Sequence, residues 1–176
     1  MNLKLKRTPG IYVVGFMASG KSTIGRLLAQ RLGWGFVDTD EEIEAAEKTP
    51  IAEIFDTRGE AEFRRIETGI IHRHVRRIEQ GSPAVLALGG GAFAAQANRN
   101  LLENNGVTVW LDCPLEVVER CVALASHRPL ARDPRQFAAL YHARREVYAL
   151  AHVRVPIESD DPAAVLAAIL THPLIL

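Results

Sequence analysis

The chain has 176 residues, a length that suits one domain with a full core. Hydrophobic residues at 48% and charged residues at 24% are ordinary for a globular protein, and no apolar run approaches the length needed to span a membrane. Lys plus Arg and Asp plus Glu balance at 21 each, which excludes the global basic field that gathers nucleic acid.

Lys4, Lys6 and Arg7 precede an apolar stretch and imitate the start of a signal peptide. That stretch is also the first expected strand, residues 11–14, and runs straight into Gly15-Phe16-Met17-Ala18-Ser19-Gly20-Lys21-Ser22. The octet fits the phosphate-loop pattern G-x-x-x-x-G-K-[ST], and residues 21–32 behind it have helical periodicity, so cleavage here would destroy the motif. Strand, glycine loop and helix together aim several backbone N–H groups at one phosphate, at the positive end of a helix dipole. Lys21 would reach the outer phosphates and the Ser22 hydroxyl would ligate Mg²⁺. The expected ligand is a nucleoside triphosphate.

A second strand, residues 35–38, ends at Asp38-Thr39-Asp40 and opens a helix over 40–48. Two carboxylates across such a junction face apart and can do two jobs: one orients Mg²⁺ through its water shell, the other accepts from an acceptor hydroxyl. Thr39 or Asp40 would also cap the helix. Further helices over 51–56 and 60–79 give the 40–79 region more helix than one crossover needs, and this is the place for an acceptor pocket. Within it Phe63 and Ile66 mark the buried face, and Arg64 is placed to point at the pocket with Glu67 near it.

The third strand, residues 84–88, is followed by Gly89-Gly90-Gly91, a turn that lets a ligand approach bare backbone. No acidic residue closes that strand, which strengthens the metal role of Asp38. Then come a helix over 94–104, a strand over 107–111, a helix over 114–125, a loop over 126–134 with Arg128 and two prolines, a helix over 134–150, a strand over 153–157 and a helix over 161–170. The loop reads as a lid. Arg144 and Arg145, on the helix after it, present planar forks suited to carboxylate or phosphate. His72 and His74 face apart and make a poor metal pair; the other histidines read as surface or structural. Cys113 and Cys121 have no metal spacing and read as reduced thiols of a cytosolic protein. Five strands alternating with helices argue for a parallel sheet covered on both faces.

The ordered set Gly15 to Ser22, Asp38-Thr39-Asp40, Phe63-Arg64-Arg65-Ile66-Glu67, Gly89-Gly90-Gly91-Ala92, Arg128-Pro129-Leu130 and the R-x-x-x-Y segment from Arg144 to Tyr148 resembles shikimate kinase, over nearly the whole chain. The resemblance implies a three-layer α/β/α sandwich of the nucleoside-monophosphate-kinase type, one P-loop kinase domain over 1–176 with an acceptor-binding insertion at about 40–79 and a lid at about 125–135. It implies transfer of the ATP γ-phosphoryl group to the 3-hydroxyl of shikimate, with Mg²⁺, by a cytoplasmic monomer. By the same resemblance Gly15, Ala18, Ser19, Gly20, Lys21, Ser22 and Thr23 hold ATP, Arg120 packs near adenine, and Asp38 acts on the metal through water. Asp40 orients or deprotonates the attacking hydroxyl, Arg64 and Arg144 clamp the shikimate carboxylate beside Gly89, Gly90 and Gly91, and Arg128 swings in to neutralise the transferring phosphate.

Two departures stand out. The family commonly has Gly where Ala18 stands, and Ala18 fits the loop if its φ is negative; the lid is short, which leaves Arg144 and Arg145 as alternatives. A gluconate-type kinase is the neighbouring reading, but a polyol does not need two arginines converging with Asp40. A kinase-like ligand sensor attached to a regulator is the other; about ten residues before the first strand are too few for a DNA-binding module.

Overall fold

The computed structural model describes residues 10–124 and 133–175. The expected lid, with Arg128, lies almost wholly outside the described residues.

Strand β1 (Gly10–Val14) is buried at every position, and alternation of its side chains builds two cores. Ile11 and Val13 face helices α1 (Lys21–Leu32) and α7 (Pro162–Leu170), meeting Ile24, Leu28, Val165 and Ile169. Tyr12 and Val14 face the other way, into a cluster with Phe93, Leu102, Tyr141 and Tyr148. Strands buried on both faces read as continuous apolar runs, which is why β1 and β3 (Ala84–Ala87) were legible without alternation.

Among the described residues five parallel strands lie in the order β2-β3-β1-β4-β5, with β2 at Gly35–Asp38, β4 at Gly106–Asp112 and β5 at Val153–Pro156. β1 pairs with β3 on one side and β4 on the other, so the chain reverses its direction of winding there. That reversal opens a crevice at the carboxyl ends of the central strands, where ligands bind in open α/β sheets. Helices α2 (Thr39–Glu47) and α3 (Ile51–Glu79) stand at this edge and share a third core of Ile43, Ile54, Phe63, Ile66 and Ile70. α3 is broken at Gly59 (φ +83°), as the two expected helices over 51–56 and 60–79 required. The helix expected over 94–104 is shorter: one 3-10 turn at Ala92–Ala94, then α4 (Gln96–Glu103). Helices α5 (Leu115–Leu124) and α6 (Pro134–Tyr148) complete the second layer, and Asp133 caps α6 by accepting from the N–H groups of Arg135 and Gln136. No described helix is long and apolar enough to cross a membrane.

Candidate active site

The turn after β1 carries the phosphate loop. Gly20 adopts the left-handed conformation (φ +87°, ψ +15°) directly before α1, so the helix starts with its first N–H groups facing the crevice. Lys21 Nζ donates to the Phe16 carbonyl at 2.8 Å, across its own loop. Phe16 is itself held, its ring edge-on to Phe137 and Tyr141 of α6. The Ser19 hydroxyl is buried inside the loop with no hydrogen-bond partner.

Ala18 corrects an expectation: its φ is +59°, not negative. An L-residue with a Cβ pays roughly 1–2 kcal/mol for that region. Ala18→Gly is therefore expected to leave activity unchanged and to raise stability by up to about 1 kcal/mol, the gain being reduced by glycine's greater unfolded-state entropy. Denaturant melts of the two proteins check this; a destabilised glycine variant contradicts it.

At the end of β2 the Ser22 hydroxyl donates to Asp38 Oδ2, joining the first and second units of the sheet. Asp38 Oδ1 accepts from the N–H groups of Asp40 and Glu41 at 3.0 and 3.2 Å. Thus the cap of α2 is Asp38, not Thr39 or Asp40 as the sequence suggested. Because Asp38 does the capping, Thr39 is released inward: its buried hydroxyl donates to the Ala87 carbonyl at 3.3 Å and accepts from Gly89 N–H at 3.0 Å. Asp40, one step further round the helix, faces the cleft. The two carboxylates thus have different partners: Asp38 meets Ser22 and the start of α2, while Asp40 lies half-buried beside the glycine turn.

The glycine turn after β3 is glycine for steric reasons. A Cβ on Gly89 would lie 2.6 Å from Asp40 Oδ1 and 2.9 Å from Glu67 Oε2; one on Gly91 would lie 2.2 Å from Arg64 Nη2. The turn therefore packs Asp40, Glu67 and Arg64 against bare backbone. Arg64 Nη1 donates to Glu67 Oε1 at 2.8 Å, and its guanidinium lies 5.2 Å from the Phe63 ring centre. Glu67 has no solvent exposure and its Oε2 has no partner. Burial, opposed by Arg64, holds the Glu67 carboxyl above the usual range. Asp40 is raised too, first by burial and then by Asp38, with Lys21 and Arg64 opposing. Across the turn Arg144 Nη1 donates to the Gly90 carbonyl at 2.7 Å and Tyr148 Oη at 2.5 Å. Burial pushes the Tyr148 hydroxyl up to about 12, so it is a donor at neutral pH.

These groups share one open cleft of about 740 Å³, lined by Lys21, Ser22, Thr23, Asp38 and Asp40 on one side and Arg64, Glu67, Gly89–Gly91, Arg144 and Tyr148 on the other. Arg145 is not in it; it turns away onto Asp112. Arg120 is exposed on α5 and outside the cleft. Sequence reasoning assigned Thr39 only a capping role and Phe63 only a place on the buried face, and it passed over Phe55, whose ring lies 4.5 Å from that of Phe63 in the apolar wall of the cleft. Glu67 falls four residues after Phe63, on the face already marked as buried, and that spacing was the available signal.

The shikimate kinase family model matches residues 17–172. The chain belongs to the shikimate kinase family. A shikimate kinase of Persephonella marina is 41% identical over 162 residues, covering 91% of this chain and 96% of its own, and one of Ruegeria pomeroyi is 46% identical over 148 residues, covering 82% and 74%. Among solved structures, the shikimate kinase of Acinetobacter baumannii in complex with shikimate superposes with a TM-score of 0.83 at 34% identity, covering 92% of this chain and 90% of that one. The Aquifex aeolicus shikimate kinase gives 0.81 at 35%, with 92% and 94% covered. A gluconokinase of Sinorhizobium meliloti, at 0.51 and 19% identity, shares the fold alone.

Proposed function

We propose that the chain transfers the γ-phosphoryl group of ATP to the 3-hydroxyl of shikimate, giving shikimate 3-phosphate and ADP. The observation that carries this reading is the pairing, within one cleft, of a phosphate loop with a pocket that brings Asp40 together with Arg64 and Arg144. Phosphoryl transfer asks mainly for positioning and charge stabilisation, and the residues divide accordingly. Backbone N–H groups from Gly15 to Thr23, with Lys21, receive the phosphates, and Ser19 offers them its orphan hydroxyl. Asp40 accepts from the acceptor hydroxyl and orients or deprotonates it. Arg64 and Arg144 pair with the acceptor carboxylate, and the N–H groups of the glycine turn border it. Arg120 near adenine and Arg128 on the phosphate complete the proposal.

Mg²⁺ fits this donor set. It keeps several waters and takes few protein ligands, and the touching Ser22 hydroxyl and Asp38 carboxylate are hard oxygen donors. Among the described residues no three His, Cys, Asp or Glu side chains form a metal cage, so the phosphates would supply further ligands. When bound, the ion offsets charge on the phosphate oxygens. The proposal takes a monomer as the working unit, with residues 40–79 as the acceptor-binding region.

The test is a coupled ADP-release assay with shikimate, quinate and gluconate as acceptors, plus a shikimate analogue lacking the carboxylate. Shikimate should be strongly preferred. A charge-assisted contact to the carboxylate is worth about 1.5–3 kcal/mol, so Arg64→Ala or Arg144→Ala should each lower kcat/KM for shikimate by about one to two orders of magnitude. ATP affinity should barely move. Equal use of shikimate and the carboxylate-free analogue by wild type would remove the main support for shikimate.

A further inference from the structure

Arg144 can meet an acceptor only if α6 presents it at the right angle about the helix axis. Its neighbour Arg145 points about 100° away on the same helix. Arg145 forks onto Asp112, the last residue of β4: Nη1 donates to Oδ1 and Nη2 to Oδ2, the latter at 3.1 Å. Asp112 is only 6% exposed, and it is anchored from the sheet as well. Arg154 of β5 donates to Oδ2 through Nε at 2.8 Å, and the Asp112 carbonyl accepts from Ile157 N–H at 2.9 Å. Trp110, two residues earlier on β4, lies beneath both guanidinium groups, 5.1 and 5.4 Å from the ring centre. One turn back along α6, Tyr141 Oη donates to the Cys113 carbonyl at 2.7 Å and accepts from Arg145 Nη1 at 3.1 Å.

We infer that the Asp112–Arg145 pair is a positioning device for the acceptor pocket: it fixes the rotation of α6 against the end of β4 and so aims Arg144 and Tyr148 at the glycine turn. A partly exposed ion pair contributes little to stability, and the Arg145 side chain is 33% exposed. Its geometry does more than its energy. The carboxylate is immobile before any ligand arrives, it receives two parallel bonds from a rigid fork, and the group it holds is adjacent in sequence to the one that enters the cleft. Pairing Arg145 with Asp112 also keeps a third guanidinium away from a pocket already served by Arg64 and Arg144.

This inference rests on the proposed role of Arg144. The primary variant is Arg145→Gln, which leaves Asp112 paired with Arg154. Steady-state kinetics should give a rise in KM for shikimate of about fivefold or more, with kcat and KM for ATP within about twofold of wild type. In an Arg144→Ala background the same substitution should raise the shikimate KM by less than about twofold, because the group it positions is gone. Arg154→Gln, which removes the partner that is not on α6, should leave the shikimate KM near wild type. Equal rises in both backgrounds, or an Arg154 variant that matches Arg145→Gln, would mean a merely structural pair and overturn the inference. A wild type that turns over shikimate with a KM unmoved by Arg145→Gln overturns the positioning role alone. A wild type that neither binds nor phosphorylates shikimate overturns the functional reading and this inference with it.

Discussion

Asp40→Asn should lower kcat/KM for shikimate by about 10²- to 10⁴-fold, the range for losing a positioned general base, while making the folded protein more resistant to heat at neutral pH. Both effects come from the same placement. Asp40 packs against Gly89, as Glu67 does, and burial is the first cause of its raised pKa. A carboxyl group whose folded pKa lies above its unfolded value binds its proton more tightly in the native state. Below the unfolded pKa both states are protonated and nothing is lost; the penalty grows between the two values and is full above the folded one. At neutral pH the ionised Asp40 therefore destabilises the fold, and the neutral isostere Asn removes that penalty. The acid limb of the wild-type kcat/KM profile should accordingly lie above the ordinary carboxylate range, and should vanish in the variant. Asp38→Asn should behave differently: its amide oxygen can still cap α2, while loss of the charged oxygen that accepts from Ser22 should raise the Mg²⁺ requirement. Melting curves against pH, with magnesium titrations of both variants, check the division; coincident profiles would contradict it.

How much of this was legible beforehand depends on how local each cause is. The phosphate loop is local: glycines, lysine and serine act within eight residues, and the motif fixed its own strand and helix. The alternation of strands with helices gave a parallel sheet, and the central strands β1 and β3 are apolar on both faces. Side-chain direction at Asp38, Thr39 and Asp40 was not local. Three consecutive residues that can all cap a helix compete, and the winner was set by Ser22, sixteen positions away, which draws Asp38 across the junction. The choice between Arg144 and Arg145 had the same character. Both occupy the helix, and only the presence of a buried carboxylate on β4 sends Arg145 aside. Ala18 failed for a different reason, since backbone conformation in a loop follows from closing the loop around a ligand-sized space and overrides the residue's own preference.

Lys21→Met should reduce kcat by about 10³-fold, since a preorganised charge aimed at developing negative charge is worth roughly that much, and should leave the fold intact. Lys21 begins α1, and its ammonium donates to the Phe16 carbonyl at 2.8 Å across the loop. That carbonyl belongs to a residue wedged edge-on between two rings of α6, so the lysine is tethered at the mouth of the cleft by an acceptor that cannot drift. Incoming phosphate oxygens, bearing full charge, would compete successfully with one neutral carbonyl. Methionine keeps an unbranched apolar stem of similar length and removes only the charge and its donors. A partly exposed position of this kind changes stability by less than about 0.5 kcal/mol, which for a chain of this size is a shift in Tm of at most about 2 °C. Shikimate affinity without nucleotide should stay near wild type, because Lys21 serves the phosphate side of the cleft. Nucleotide affinity should fall, and the residual turnover should not be restored by raising ATP, since the missing interaction is strongest in the transition state. Initial rates at saturating ATP, calorimetric titration with shikimate and a thermal melt separate these claims. A variant that retains more than about a tenth of the wild-type kcat would overturn the chemistry assigned to the loop.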